Sequence, residues 1–142
     1  MRHTSPFESA RMVNRHRWKD DYRGFVEWFF GLVFLEPHST KQIEDAVSWG
    51  LETTPETLID TIAGDFFMDR ATAIDLCARV RCPALVLSGG DDIITPPAWA
   101  AALAETLGAR HLSFPGYGHT VAVRHPVAYN LAVRDFLAEA LV

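Results

Sequence analysis

Four consecutive apolar residues, Ala84-Leu85-Val86-Leu87, are opened by Pro83 and closed by Ser88-Gly89-Gly90. Unbroken rather than alternating apolar character marks a strand buried on both faces, as strands are in parallel sheets. A parallel neighbour needs a crossover, and the following residues supply one. Thr95-Pro96-Pro97 starts a helix in which Trp99, Ala102, Leu103 and Leu107 are expected to face inward, and Gly108 closes it. A second short strand follows over 109–114, then the turn Pro115-Gly116-Tyr117-Gly118-His119. The last helix starts at Pro126 and presents Tyr129, Ala132, Val133, Phe136, Leu137 and Ala140 on one face. Strand, helix, strand, helix predicts a right-handed parallel crossover and an α/β class with a short parallel sheet.

Ahead of Cys82 the patterns are helical. A first helix is expected from about Pro6 to Phe34, broken near Gly24, with Trp18, Tyr22, Phe25, Phe29 and Leu32 on one face. Val26, Phe30 and Phe34 give it a second apolar face, so it should be covered on two sides. Ser39 and Gln42 read as a capping box, and Thr54-Pro55 as an N-cap followed by proline at the first helical position. The helix after Thr54 carries Leu58, Ile59 and Ile62 and stops near Gly64; a further helical stretch covers 71–79.

With 142 residues, 49% of them hydrophobic and 22% charged, the chain is one globular domain or part of one. A net charge of −5 argues against a nucleic-acid or membrane-surface binder. The basic run Arg11, Arg15, Arg17, Lys19 runs straight into Asp20 and Asp21 and reads as a solvated helix face. Two cysteines, Cys77 and Cys82, are too few for a disulfide framework and read as buried core thiols of a cytoplasmic protein. The N-terminus lacks the apolar stretch of a secretory signal. The most apolar segment, Phe25 to Leu35, is interrupted by Glu27 and Gly31 and falls short of the ~20 residues of a membrane span. No H-E-x-x-H, Walker loop or complete G-x-G-x-x-G is present, so neither a metal nor another cofactor is expected.

Two loops leave the carboxyl ends of the expected strands, where ligands of open α/β sheets gather: 89–96 and 116–120. An acid from one and a histidine from the other can meet above the sheet. Asp92 would then accept a hydrogen bond from His119, fix its tautomer and leave the other ring nitrogen as a general base. Each residue alone also has a plainer role, as a turn former or helix cap. Side chains pointing apart would assign both residues to that role.

The segment Cys82-Pro83-Ala84-Leu85-Val86-Leu87-Ser88-Gly89-Gly90-Asp91-Asp92-Ile93-Ile94-Thr95-Pro96 resembles the late strand-and-acid segment of α/β-hydrolases, where proline precedes the strand and G-x-x-D follows it. The stretch Phe114 to His119, with Pro126 and Asp135-Phe136-Leu137, resembles that family's histidine loop and closing helix. The family pattern selects Asp92 over Asp91, which stays in reserve, and the acid precedes the histidine in the family's order. The resemblance covers roughly 82–141; residues 1–80 look like a helical cap or lid, and 81–142 like the C-terminal part of the core. In that reading Trp18, Tyr22, Phe25, Trp28 and Phe29 line an apolar substrate pocket, the plainer alternative being that they pack the cap onto the core.

The departures matter as much. Ser5, Ser9, Ser39, Ser48, Ser88 and Ser113 all lack the G-x-S-x-G context of a nucleophile elbow, and no oxyanion loop is visible. The resemblance therefore implies an incomplete α/β-hydrolase fold. It is expected to be the C-terminal portion, truncated or a fragment, of a serine-type hydrolase of esters or similar small apolar substrates, inactive alone. The alternative is a non-catalytic assembly module derived from a hydrolase, forming homo-oligomers through an unpaired strand edge.

Overall fold

The computed structural model describes residues 12–64 and 69–140. The expected helix start near Pro6 lies outside the described residues. Two compact units emerge: one of residues 1–32 and 37–67, the other of 33–36 and 68–142.

The first unit is helical: α1 (Arg15–Asp20), α2 (Tyr22–Val33, its last residue counted with the other unit), α3 (Thr40–Gly50) and α4 (Pro55–Ala63). The interruption between α1 and α2 falls at Asp21, three residues before the expected Gly24. Asp21 leaves helical geometry, and its Oδ1 accepts the Gly24 N–H at 2.8 Å while Oδ2 takes the Arg17 guanidinium at 2.7 Å. An aspartate capping the N-terminus of the second helix outweighs an internal glycine as a breakpoint. Arg15 and Lys19 are solvated as expected, but Arg17 is half-buried in this pair.

Trp18, Phe25 and Val26 are buried at the centre, surrounded by Tyr22, Trp28, Phe29, Phe30, Val47, Leu51, Leu58 and Ile59. Both apolar faces of the α1–α2 segment are therefore covered. Thr54 caps α4 through its hydroxyl to Thr57 N–H, with Pro55 at the first helical position. Helix α3 starts where expected, yet Ser39 makes no side-chain cap bond, so the capping box with Gln42 does not form. Ser39 is buried, at φ −94° and ψ 7°, outside the extended geometry of a helix N-cap.

The second unit contains α5 (Arg70–Ala78), β1 (Leu85–Gly89), α6 (Pro97–Leu107), β2 (Arg110–Phe114), α7 (Val121–Arg124) and α8 (Pro126–Ala140). Asp69 caps α5, accepting from the Thr72 N–H at 2.9 Å and the Thr72 hydroxyl at 2.8 Å; these bonds hold its carboxyl below its ordinary pKa. Strands β1 and β2 pair in parallel, from Leu85 opposite Arg110 to Gly89 opposite Phe114, the two-stranded parallel sheet that the sequence predicts. Gly108 closes α6 in the left-handed region at φ 62°.

The inward face of α6 differs from expectation. Ala104 is buried and Ala100 and Leu107 are half-buried, while Trp99, Ala102 and Leu103 are exposed. The helix packs on β1 and β2, and close approach to a two-stranded sheet favours the small alanine face over the larger Trp99 and Leu103. On α8, Tyr129, Ala132, Val133 and Phe136 are half-buried as expected, but Leu137 and Ala140 are exposed near the helix end. Both cysteines are free; Cys77 is half-buried and Cys82 exposed, correcting the reading of two core thiols. Cys82 lies in the exposed turn between α5 and β1, where no apolar face covers it.

Candidate active site

Strand β1 ends at Gly89, and the turn that follows is organised by Asp92. Its Oδ1 accepts two backbone N–H groups, from Ile94 at 2.8 Å and Thr95 at 2.9 Å. The other oxygen, Oδ2, lies 2.9 Å from His119 Nδ1. Asp92 is buried, whereas the His119 side chain keeps 33% of its surface open to solvent. Asp91 is exposed. The structure therefore brings Asp92, rather than its neighbour, to the histidine, across a sequence gap of 27 residues.

With Asp92 as acceptor, the His119 proton sits on Nδ1, and Nε2 carries the lone pair. Among the described residues no hydroxyl bonds to that nitrogen. Ser88, at the end of β1, is engaged instead with His111 of β2, Oγ to Nε2 at 2.9 Å. Ser5 and Ser9 lie outside the described residues.

The histidine loop is fitted tightly to the end of β1. Gly90 N–H donates to Phe114 O at 2.8 Å and Asp91 N–H to Tyr117 O at 2.9 Å. A Cβ on Gly89 would sit 2.0 Å from Gly118 O and 2.4 Å from Tyr117 O. Both are backbone atoms, so no side chain can yield. Gly89→Ala is expected to destabilise this unit by about 1–3 kcal/mol through overpacking and to part His119 from Asp92. Thermal melts and the His119 ring resonances read the two effects; an unchanged ring signature would remove the close approach as its cause.

A sequence-distant residue also reaches this loop. Gly118 N–H donates to Glu36 Oε1 at 2.9 Å across 82 positions. Sequence reasoning missed Glu36, since an acid before Pro37 in an apolar stretch belongs to no motif. On the far side, Tyr117 stacks on Phe114 and on His125, centroids 5.8 and 3.5 Å apart.

An open cavity of about 540 Å³ borders the pair, lined by Ser88, Asp92, Trp99, Leu103, His119 and Val123 among others. This gives a place to the exposed Trp99 and Leu103: they form an apolar wall beside the histidine. The five aromatics expected at a substrate pocket lie in the helical unit, where they meet one another. Phe25 stands 5.1 Å from Trp18, 6.4 Å from Tyr22, 6.1 Å from Trp28 and 6.0 Å from Phe29, ring centre to ring centre. Trp18 donates to Met12 O and Tyr22 to Gly50 O; burial pushes the Tyr22 hydroxyl above its ordinary pKa. Among the described residues no cluster of three His, Cys, Asp or Glu could hold a metal, and no helix is long and apolar enough to cross a membrane.

Strand, acid, helix, parallel strand and histidine, in that order, define the end of an α/β-hydrolase core. Residues 68–142 match the family model described as TAP-like protein, and the chain belongs to this family of α/β hydrolases. Over 60 residues it is also 40% identical to a protein provisionally named carbamate hydrolase RutD, from Caulobacter sp. (strain K31). That match covers 42% of this chain and 22% of the relative, so the chain spans about a fifth of the relative's length.

Proposed function

We propose that this chain is the C-terminal portion of a serine-type α/β hydrolase, supplying the acid and base of a triad whose nucleophile lies on another segment. The observation that carries the reading is the 2.9 Å contact of buried Asp92 with His119 beyond the ends of adjacent parallel strands. In the reaction, His119 Nε2 takes the proton of the nucleophile hydroxyl as its oxygen bonds to the acyl carbon. Asp92 holds Nδ1–H and stabilises the imidazolium, which then returns the proton to the leaving group. No cofactor takes part. The substrate class is an ester or similar small apolar acyl compound, and the name of the relative adds carbamates.

Residues 1–80 act as cap and 81–142 as core in this reading. Trp18 and Phe25 are committed to the packing of the helical unit. Shaping of an apolar pocket therefore falls to the half-buried rings of Tyr22, Trp28 and Phe29.

The purified chain is expected to give no turnover of activated esters and no labelling by a serine-directed phosphonate. Co-expression with a segment carrying strand–G-x-S-x-G–helix should restore both, dependent on His119. Turnover by the chain alone that requires His119 would overturn the assignment of the nucleophile elsewhere. His119-independent activity in the complemented protein would overturn the base.

A second reading has its own observation. β1 pairs on one side only among the described residues, and Trp99, Val127 and Leu131 are exposed. A non-catalytic module assembling through this edge and these faces would run as an oligomer on size exclusion, while a well-behaved monomer counts against it.

A further inference from the structure

We infer that Glu36 is a positioning residue for His119: its carboxylate holds the Gly118 peptide, and through it the histidine, in the geometry that Asp92 requires. The inference rests on the reading of Asp92 and His119 as acid and base.

The contacts that pin the histidine loop to β1 act upstream of the histidine. Asp91 and Gly90 hold the Tyr117 and Phe114 carbonyls, and the Gly89 approach is to the Tyr117 and Gly118 oxygens. These contacts set the distance of the loop from the strand, and the Asp91 bond holds the carbonyl end of the Tyr117–Gly118 peptide. Glu36 takes the other end of that peptide, the Gly118 N–H, at 2.9 Å, so the peptide is gripped at both ends one residue before His119. Gly118 itself is buried, so water does not offer an alternative partner for its N–H.

The carboxylate is partly sheltered from water. Glu36 is half-buried and its Oε2 atom is shielded from solvent. Pro37 restricts the Glu36 backbone to extended geometry, and His38 follows at φ 63°, a rare conformation outside glycine. A hydrogen bond to a charged acceptor is roughly twice as strong as a neutral one. Glu36 also fills the space beside the loop: a Cβ on Gly118 would lie 3.1 Å from Glu36 Oε1.

The test reads the His119 ring nitrogens and the Gly118 amide by NMR in the full chain, without recourse to activity. In the parent chain the ring should show one tautomer, protonated on Nδ1. Glu36→Ala should move the Gly118 amide upfield and shift both ring nitrogens toward averaged positions, while amides of α8 stay native. Glu36→Gln keeps an oxygen acceptor and should restore both signatures. An Ala variant with unchanged ring nitrogens would overturn the inference. If Glu36→Ala does not fold, Gly118→Ala displaces the carboxylate by another route and is read the same way. Asp92→Asn is the control: it must lose the Nδ1–H tautomer with Glu36 intact. If it does not, the Asp92–His119 reading fails and the positioning role falls with it.

Discussion

Asp92→Asn, made in the protein with its nucleophile supplied, is expected to lower kcat about 10⁴-fold with little change in KM. The size follows from how the two carboxylate oxygens are used. Oδ1 is held by two backbone N–H groups, so the asparagine oxygen must occupy that position. Its NH2 then faces His119 Nδ1, where it can only donate. The imidazole is driven to the other tautomer, with the proton on Nε2 and no lone pair for the nucleophile. Side-chain geometry is preserved and the base is lost, so substrate binding survives. A fall in KM-limited binding with kcat intact would mean that Asp92 serves only to shape the turn.

Phe25→Ala should cost the helical unit about 3–5 kcal/mol, the range for a buried aromatic ring. For a unit of this size the melting temperature should fall by more than roughly 10 °C. The ring is buried among Trp18, Tyr22, Trp28 and Phe29, so its loss opens a cavity touching all of them. Thermal melting by circular dichroism gives the value. The same variant separates the two roles considered for these aromatics. An unchanged melt with a raised KM in the complemented enzyme would make Phe25 a substrate contact; a large stability loss makes it packing.

The order of elements in the second unit was legible because each signal is local: an apolar run between Pro83 and Gly89, prolines at the helix starts, Gly108 at a helix end. The pairing of Asp92 with His119 was legible for the same reason, since each leaves the end of its own strand. What failed needed information from elsewhere in the fold. Periodicity gave α6 an apolar stripe through Trp99 and Leu103, but which stripe meets the sheet depends on how closely the backbones approach, and alanines approach closest. The break at Asp21 was hidden because a cap competes with a glycine only three residues away. Glu36 could not be found at all: its partner is a backbone N–H, which every residue but proline carries.

Two of the long-range hydrogen bonds at the histidine loop also differ in when they can form. Asp92 and His119 close 27 residues of chain, Glu36 and Gly118 close 82. The longer closure carries about 1 kcal/mol more entropic cost. The parallel crossover, with α6 between its strands, can therefore bring acid and histidine together first. The Glu36–Gly118 bond is then expected to close second, when the upstream segment arrives. Acquisition of a fixed imidazole is on this account a late folding event, separable in refolding kinetics from formation of the sheet beneath it.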